Sequence, residues 1–372
     1  MIPVCEPTLT GNERKYADDC IDTKWISSMG SYIIKFEEMF SKFCGNKYGI
    51  ACSNGTTAIH LMVESMGIGK GDEVIIPTFT MIATANAVAY TGAKPVLVDS
   101  EPETWNIDPA KIEEKITDKT KAIMVMHTYG HPCDIDAIQR IADKYNIPVI
   151  EDAAEAPGAE YKGRKTGTLG KAASFSFYAN KIITTGEGGM VVTDDGEIAK
   201  RSSSLRNHAF SNPRFLHKEF GFNYRLTNIQ AAIGVAQMEY VDELIESRIK
   251  NAKLYNELLK NVEGITLPPK KEWAKNVYWM YGLIVNKEEF GMSMPELREA
   301  LLKNGVDTRS FFIPMHKQPV YLNNKEPNFP DCSGPYPVSD MLSERGFYLP
   351  SSSSLTEDQI KQVCKILISL KK

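Results

Sequence analysis

The sequence has no CxxC pair and no zinc-like cysteine spacing, although seven cysteines are spread from Cys5 to Cys364. An odd count without paired spacing argues against a disulfide framework and against a structural zinc site. The expectation is free thiols in a reducing compartment and no metal. The chain also lacks a charge excess. Its net charge is −4 and 24% of its residues are charged. That leaves no basic surface for nucleic acid and no acidic tail. Any anionic substrate must then be held by local groups. The first residues, Met1–Pro7, lack the basic stretch and apolar run of a secretory leader, which places the expected location in the cytoplasm. One stretch, Val74–Ala93, has no charged residue, but Pro77, Asn86, Gly92 and several threonines interrupt it. A bilayer span needs ~20 predominantly apolar residues, so the stretch reads as a buried strand, a turn and a buried helix, with no membrane role. No internal repeat or low-complexity tract occurs.

What is present is a long chain with ample apolar content: 372 residues, 42% hydrophobic. Chains beyond about 250–300 residues split into domains. Short apolar runs recur at Tyr48–Cys52, Glu73–Ile76, Pro95–Val98, Ala122–Met126, Pro148–Ile150, Ala173–Phe177 and Met190–Thr193. Several are rich in Val and Ile without polar alternation, as strands covered on both faces are. Helical patterns fall between the first five. Thr56–Met66 carries Ile59, Met62, Val63 and Met66 on one stripe, and Asp134–Tyr145 carries Ile135, Ile138, Ile141 and Ala142. This alternation predicts an α/β domain around a largely parallel sheet. Only Tyr178–Gly189 separates the last two runs. That is too short for a usual crossover helix and predicts one antiparallel strand. A helical pattern follows from Asn228 to Leu259, with Glu239, Asp242, Glu243 and Glu246 on its exposed side. The expected division lies inside it, giving a large domain over residues 1–245 and a small α+β domain over 246–372. The small domain is expected to use Trp279–Val285, Met294–Asn304, Thr308–Ile313 and Thr356–Leu370. Asn323–Pro337, rich in Pro, Asn and Asp, reads as a loop.

Four segments bear on chemistry. Ser53-Asn54-Gly55-Thr56-Thr57-Ala58 joins a strand to a helix. It is either an anion site made of backbone N–H groups at a helix start or an ordinary capped turn. Val149-Ile150-Glu151-Asp152-Ala153-Ala154-Glu155 is an apolar strand ending in acids. A carboxylate there sits where α/β sheets bind ligands, or it merely caps the next turn. In Ser174–Lys181 a lone lysine stands where an apolar strand runs out, and Thr184–Gly189 follows with three glycines. Apolar surroundings lower an amine's pKa and favour imine chemistry, while a lone lysine is commonly a solvated charge. Gly221–Asn228 places polar groups just before a helix, consistent also with a plain cap at Thr227 or Asn228. In combination the order is informative. A phosphate nest, a strand-end aspartate, a lysine about thirty residues later and a glycine turn match the needs of pyridoxal 5'-phosphate (PLP), which takes a lysine to carry it and an acid at its ring nitrogen.

With these segments the sequence resembles the DegT/StrS-type nucleotide-sugar aminotransferases, fold-type I PLP enzymes. The resemblance runs nearly end to end. It includes Trp25–Ser28 with Phe36-Glu37, Ser53–Ala58, Gly71–Val74, Thr84-Ala85-Asn86, His127–Gly130, Glu151–Glu155, Ser174–Gly189, Asn223–Asn228 and Pro314-Met315-His316. It implies an aspartate-aminotransferase-like fold, with a mostly parallel seven-stranded sheet flanked by helices. It further implies that Lys181 carries the cofactor through its amine, that Asp152 keeps the ring nitrogen protonated, and that Glu155 approaches the ring hydroxyl. The Gly55, Thr56 and Thr57 backbone and the Ser176 hydroxyl would hold the phosphate. Asn223 would reach that phosphate from the other subunit of a homodimer with shared active sites. His316, Tyr129 and Trp25 would face the sugar. The implied reaction moves the amino group of L-glutamate to C4 of a nucleoside-diphosphate-4-keto-6-deoxy sugar. One residue departs from the pattern: Met81 stands where family members often carry an aromatic against the cofactor ring, and a thioether can also lie against a ring face.

Lys181 favours amination over the dehydration performed by relatives with histidine at that place. Amination at C3 stays open, as does the choice among GDP, dTDP and UDP sugars. A non-catalytic protein on the same scaffold is a further reading, since fold does not fix function, but every expected catalytic residue type is in place. A dinucleotide oxidoreductase is not supported, because Gly186-Glu187-Gly188-Gly189 does not fit GxGxxG opening a helix after a first strand.

Overall fold

A computed structural model describes residues 1–324 and 326–372. The seven apolar runs form one sheet: β1 (Tyr48–Cys52), β2 (Glu73–Pro77), β3 (Lys94–Val98), β4 (Thr120–Met126), β5 (Val149–Asp152), β6 (Ala172–Ser176) and β7 (Gly189–Thr193). Their order is β1-β7-β6-β5-β4-β2-β3. β7 runs antiparallel to both neighbours, and every other adjacent pair is parallel. The short return after Phe177 therefore produces the single reversed strand that its length predicts.

The missing polar alternation has a direct cause. Alternate strand residues enter two different cores. Val74 and Ile76 join Ile50, Met124, Ile150 and Val191 on one face, while Ile75 joins Ile123, Val125 and Val149 on the other. Eight helices accompany the sheet: α1 (Glu13–Asp22), α2 (Ser31–Cys44), α3 (Gly55–Ser65), α4 (Ile82–Tyr90), α5 (Ile135–Tyr145), α6 (Gly196–Leu205), α7 (Asn228–Met238) and α8 (Val241–Leu259). α3, α4 and α6 cover the first face through residues such as Leu61, Val88 and Ile198. α5 covers part of the second through Ile135 and Ile138. α2 and α7 cover the rest of it through Phe36, Phe40 and Val235, against Phe175 and Phe177. The uncharged stretch Val74–Ala93 is β2, a turn and α4, as its composition implies. Among the described residues no helix is long and apolar enough to cross a membrane, and Cys5, Cys20, Cys44, Cys52, Cys133 and Cys364 are free thiols.

The pattern from Asn228 to Leu259 is two helices, not one. The chain turns at Glu239 and Tyr240, where Tyr240 has φ −136° and ψ 27°. Its hydroxyl is tied to the Glu13 carboxylate and accepts from Gln237 Nε2 at 2.6 Å. That tether to the N-terminal segment outweighs helical periodicity. The proposed division between residues 245 and 246 falls inside α8.

Beyond α8 lies a four-stranded antiparallel sheet, ordered Ile265–Thr266, Tyr281–Val285, Gly346–Leu349 and Arg309–Ser310. Helices Met294–Lys303 and Glu357–Ser369 stand at the places their patterns predict. Helix Pro337–Arg345 and the strand Gly346–Leu349 carry no prior expectation. The expected loop over 323–337 includes residue 325, which lies outside the described residues, and ends where the helix begins at Pro337. Arg248 of α8, only 3% exposed, ties this unit together. Its guanidinium donates to the carbonyls of Trp279 (2.6 Å) and Ser351 (2.5 Å).

The acids ending β5 divide their work. Glu151 is wholly buried and accepts N–H bonds from Gly167, Leu169 and Gly170, each at 2.8 Å. It also accepts from His127 Nε2 at 3.0 Å. The Cys133 amide occupies the other His127 nitrogen as an acceptor, which fixes the tautomer. Glu151 thus pins the turn that delivers β6 to the sheet. Glu151→Ala would strand three buried amides at roughly 1–3 kcal/mol each. The expected outcome is a large drop in thermal midpoint, measured by calorimetry. An unchanged midpoint would contradict this account of the turn.

Candidate active site

The registers Met126↔Asp152, Asp152↔Ser174 and Ser176↔Gly189↔Cys52 bring the C-terminal ends of β1, β4, β5 and β6 to one edge of the large sheet. A cavity of about 570 Å³ opens there. Its size is ordinary for a small-molecule site, and its position is the one α/β sheets use for ligands.

One end of the cavity is built for an anion. Asn54 caps α3, its side chain accepting from the Thr57 amide at 2.9 Å while Thr57 Oγ1 accepts from the Asn54 amide at 3.1 Å. The cap leaves Gly55 and Thr56, both lining the cavity, with amides that the helix does not use. The helix dipole adds positive potential at the same point. Gly55 is required for the close approach of β6: a Cβ there would lie 2.7 Å from Ser176 Cβ. The contact sets the Ser176 hydroxyl beside the free amides. Gly189 has a similar role, since its Cβ would meet the Asn54 carbonyl at 2.3 Å.

The other end holds an amine and two acids. Asp152 and Glu155 are 4% and 2% exposed. Asp152 Oδ2 accepts from the Thr84 hydroxyl at 2.6 Å, and Oδ1 accepts from the Ala154 amide at 3.2 Å. Glu155 accepts from the Tyr129 amide at 2.8 Å, and its carboxylate lies 4.0 Å from Lys181 Nζ. Burial raises both carboxyl pKa values, opposed chiefly by the Thr84 bond at Asp152 and by Lys181 at Glu155. Burial lowers the Lys181 amine, with the two acids pulling the other way. The cluster thus favours a neutral, nucleophilic amine beside acids that gain from any cation placed between them.

Aromatic residues from the second half of the chain wall this end. Lys181 Nζ lies 3.6 Å from the centre of the Trp279 ring. Trp279 Nε1 donates to the Asn180 carbonyl at 2.9 Å, which fixes the lysine-bearing turn. Phe312 and Tyr348 complete the wall, and Met81 also lines the cavity. Asn180 Oδ1 is buried and has no hydrogen-bond partner among the described residues. An anion cradle, a carboxylate for a ring nitrogen, an amine and an uncommitted acceptor thus share one volume, which fits PLP. Among the described residues no cluster of His, Cys, Asp or Glu could hold a metal ion.

Of the residues singled out from sequence, Gly55, Thr56, Thr57, Asp152, Glu155, Ser176 and Lys181 meet in this cavity. Tyr129, His316, Trp25 and Asn223 do not line it. Tyr129 lies behind the wall, 3% exposed, with its hydroxyl accepting from the Phe312 amide at 3.3 Å. His316 is buried between Thr78 Oγ1 (2.8 Å) and Asp340 Oδ1 (2.9 Å), its ring stacked on Tyr336. Trp25 is 55% exposed, and Asn223 is exposed in a bridge to Asn207. Sequence reading missed Asn180, Trp279, Phe312 and Tyr348 as wall residues. Thr84 was visible within a motif but carried no role. The three aromatics come from distant segments with no shared spacing.

Comparison with known proteins gives the context. The profile of the DegT/DnrJ/EryC1/StrS aminotransferase family matches residues 7–368. A GDP-perosamine synthase of Caulobacter vibrioides is 45% identical over 372 residues, covering 98% of this chain and 97% of that protein. A dTDP-3-amino-3,6-dideoxy-alpha-D-galactopyranose transaminase of Aneurinibacillus thermoaerophilus is 38% identical over 337 residues, covering 90% and 89%. The crystal structure of S. venezuelae DesV in complex with a ketimine intermediate superimposes with a TM-score of 0.89 at 32% identity, covering 96% of this chain and 94% of that one. The chain belongs to the DegT/DnrJ/EryC1/StrS aminotransferase family and is a PLP-dependent transaminase.

Proposed function

We propose that this enzyme moves the amino group of L-glutamate to C4 of a nucleoside-diphosphate-4-keto-6-deoxy sugar, in the manner of a GDP-perosamine synthase. The observation that carries this reading is the 45% identity to such a synthase across nearly the whole of both chains. Asp22–Gly30, Asn180–Gly189 and Gly221–Asn228 carry the resemblance within this sequence. A second reading keeps the chemistry but changes the sugar, to a dTDP- or UDP-linked 4-keto-6-deoxyhexose of the viosamine type or to amination at C3. The dTDP-sugar transaminase at 38% identity favours it.

Gly55, Thr56 and Ser176 would hold the cofactor phosphate, with Thr57 fixing their turn because its amide is taken by Asn54; Asp152 would hold the proton on the ring nitrogen, and Glu155 would meet the ring hydroxyl. Bound there, PLP supplies an electron sink for charge developing at the carbon that loses its proton. Lys181 would hold the cofactor through its amine. When not so engaged, the Lys181 nitrogen would act as the base that takes the proton from the donor carbon. The Trp279 ring steadies that nitrogen when it is charged and helps to keep water out. Asn223 of a second chain reaches the phosphate, so the working unit is a homodimer with shared sites. Tyr129 acts on the sugar side only through Glu155 and Phe312, and a sugar role for His316 and Trp25, which lie outside this cavity, rests on the family resemblance alone.

The direct test is a panel of GDP-, dTDP- and UDP-linked 4-keto-6-deoxy sugars with L-glutamate, followed by product analysis. The expected result is a 4-amino sugar and 2-oxoglutarate, with the GDP sugar preferred. Failure with every 4-keto sugar would overturn the proposal. Lys181→Ala is expected to lose the visible absorbance of bound cofactor and about 10²–10⁴-fold or more in rate; a normal band and normal turnover would remove Lys181 from its role. Asp152→Asn is expected still to bind the cofactor, though roughly tenfold or more weakly, and to lose roughly 10²-fold in rate, the scale of one preorganised charge contact. Mixed Lys181→Ala and Asn223→Ala chains are expected to regain activity through hybrid dimers, and no regain at any ratio would contradict shared sites.

A further inference from the structure

The Thr84-Ala85-Asn86 motif has no part in the chemistry so far, yet Thr84 touches the acid at the centre of the site. Thr84 Oγ1 lies 2.6 Å from Asp152 Oδ2 and 2.8 Å from Thr80 Oγ1. Both threonines are 0% exposed, so water cannot stand in for either bond. The proton directions follow from charge alone. An ionised carboxylate only accepts, so the single O–H of Thr84 points to Asp152. The Thr84 oxygen is then left to accept, and the Thr80 O–H points to it. Asp152 Oδ1 has only the longer contact to the Ala154 amide, at 3.2 Å. It is the less committed oxygen, on a side chain that lines the cavity.

We propose that Thr84 and Thr80 are positioning residues, a one-way hydroxyl relay that fixes the orientation of the Asp152 carboxylate and keeps it charged for the cofactor's ring nitrogen. The inference rests on the role given to Asp152 above. Burial works against that charge, and the Thr84 bond is the largest influence opposing burial. The other titratable groups facing Asp152 are Lys181, His127 and Glu155. His127 is engaged by Glu151 and Cys133, and Glu155 carries the same sign as Asp152. Loss of the Thr84 donor therefore leaves the long Ala154 amide bond and, after it, Lys181 as the remaining supports, and that amine is itself disfavoured as a cation by burial. The sign is definite. The folded-state pKa of Asp152, already raised, rises further without Thr84, so its charge is lost at a higher pH on acidification.

The test titrates apo-protein with PLP across pH by visible absorbance and measures kcat and KM for glutamate. The variants are Thr84→Val, Thr84→Ser, Thr80→Val and Asp152→Asn. Thr84→Val keeps the shape and removes the donor. It is expected to weaken PLP binding roughly tenfold or more, the scale of a hydrogen bond to a charged group. It should also shift the acid limb of binding to higher pH and lower kcat more than it changes KM. Thr84→Ser is expected to recover binding to within about threefold of the parent, since it retains the donor. Thr80→Val should move each readout in the same direction by less. Parent-like binding, pH limb and kcat in Thr84→Val, with Asp152→Asn impaired, would overturn the relay and leave the Asp152 role standing. An unimpaired Asp152→Asn would overturn both. Should Thr84→Val fail to fold, Thr80→Val decides on the same readouts, and a parent-like pH limb there would overturn the relay.

Discussion

The structure turns on one constraint: an amine and two carboxylates are buried together at the end of a sheet, where water cannot solvate them. Burying an ion costs several kcal/mol unless partners meet it. Here each acid is met by specific donors, Asp152 by Thr84 and Ala154, and Glu155 by the Tyr129 amide. Lys181 has no comparably close donor or acceptor among the described residues: the Glu155 carboxylate stands at 4.0 Å, the face of Trp279 covers it, and Asp152 acts on it from farther off. The acids are held more firmly than the amine. That asymmetry suits a site in which two groups stay fixed and a third must change partners.

The rest of the fold delivers this cluster. The strand order and the parallel β5–β6 register bring the ends of β5 and β6 side by side. Glu151 locks the turn between them through three backbone amides. On the far side, Arg248 holds the Trp279 carbonyl while the Trp279 indole holds the Asn180 carbonyl. A residue of α8 thus reaches the lysine-bearing turn through one tryptophan. The anion end depends on close packing: Gly55 and Gly189 let two chain segments approach nearer than any side chain would allow.

Much of this was legible in the sequence because the signals are local. Val and Ile runs without polar alternation mark strands buried on both faces, and the short span after Phe177 marks the reversed strand. The Ser53–Ala58, Glu151–Glu155 and Ser174–Gly189 segments each hold their own part of the cavity within a few residues. What was not legible depends on contacts between distant segments. Trp279, Phe312 and Tyr348 join the wall only after the second sheet docks, and nothing in their neighbourhoods encodes that. Periodicity over Asn228–Leu259 hid the break at Tyr240, which a tether to Glu13 imposes from more than 200 residues away. Glu151 and Asp152 are adjacent acids of one strand end, and only their partners reveal that one is structural and the other faces the cavity.

The central claim is that Lys181 carries the cofactor opposite Asp152. Borohydride reduction of the purified PLP-bound enzyme, followed by peptide mass spectrometry, tests it most directly. The account predicts a single pyridoxyl adduct in the peptide containing Lys181. An adduct on another lysine, or none on a protein that retains its visible absorbance, would contradict it.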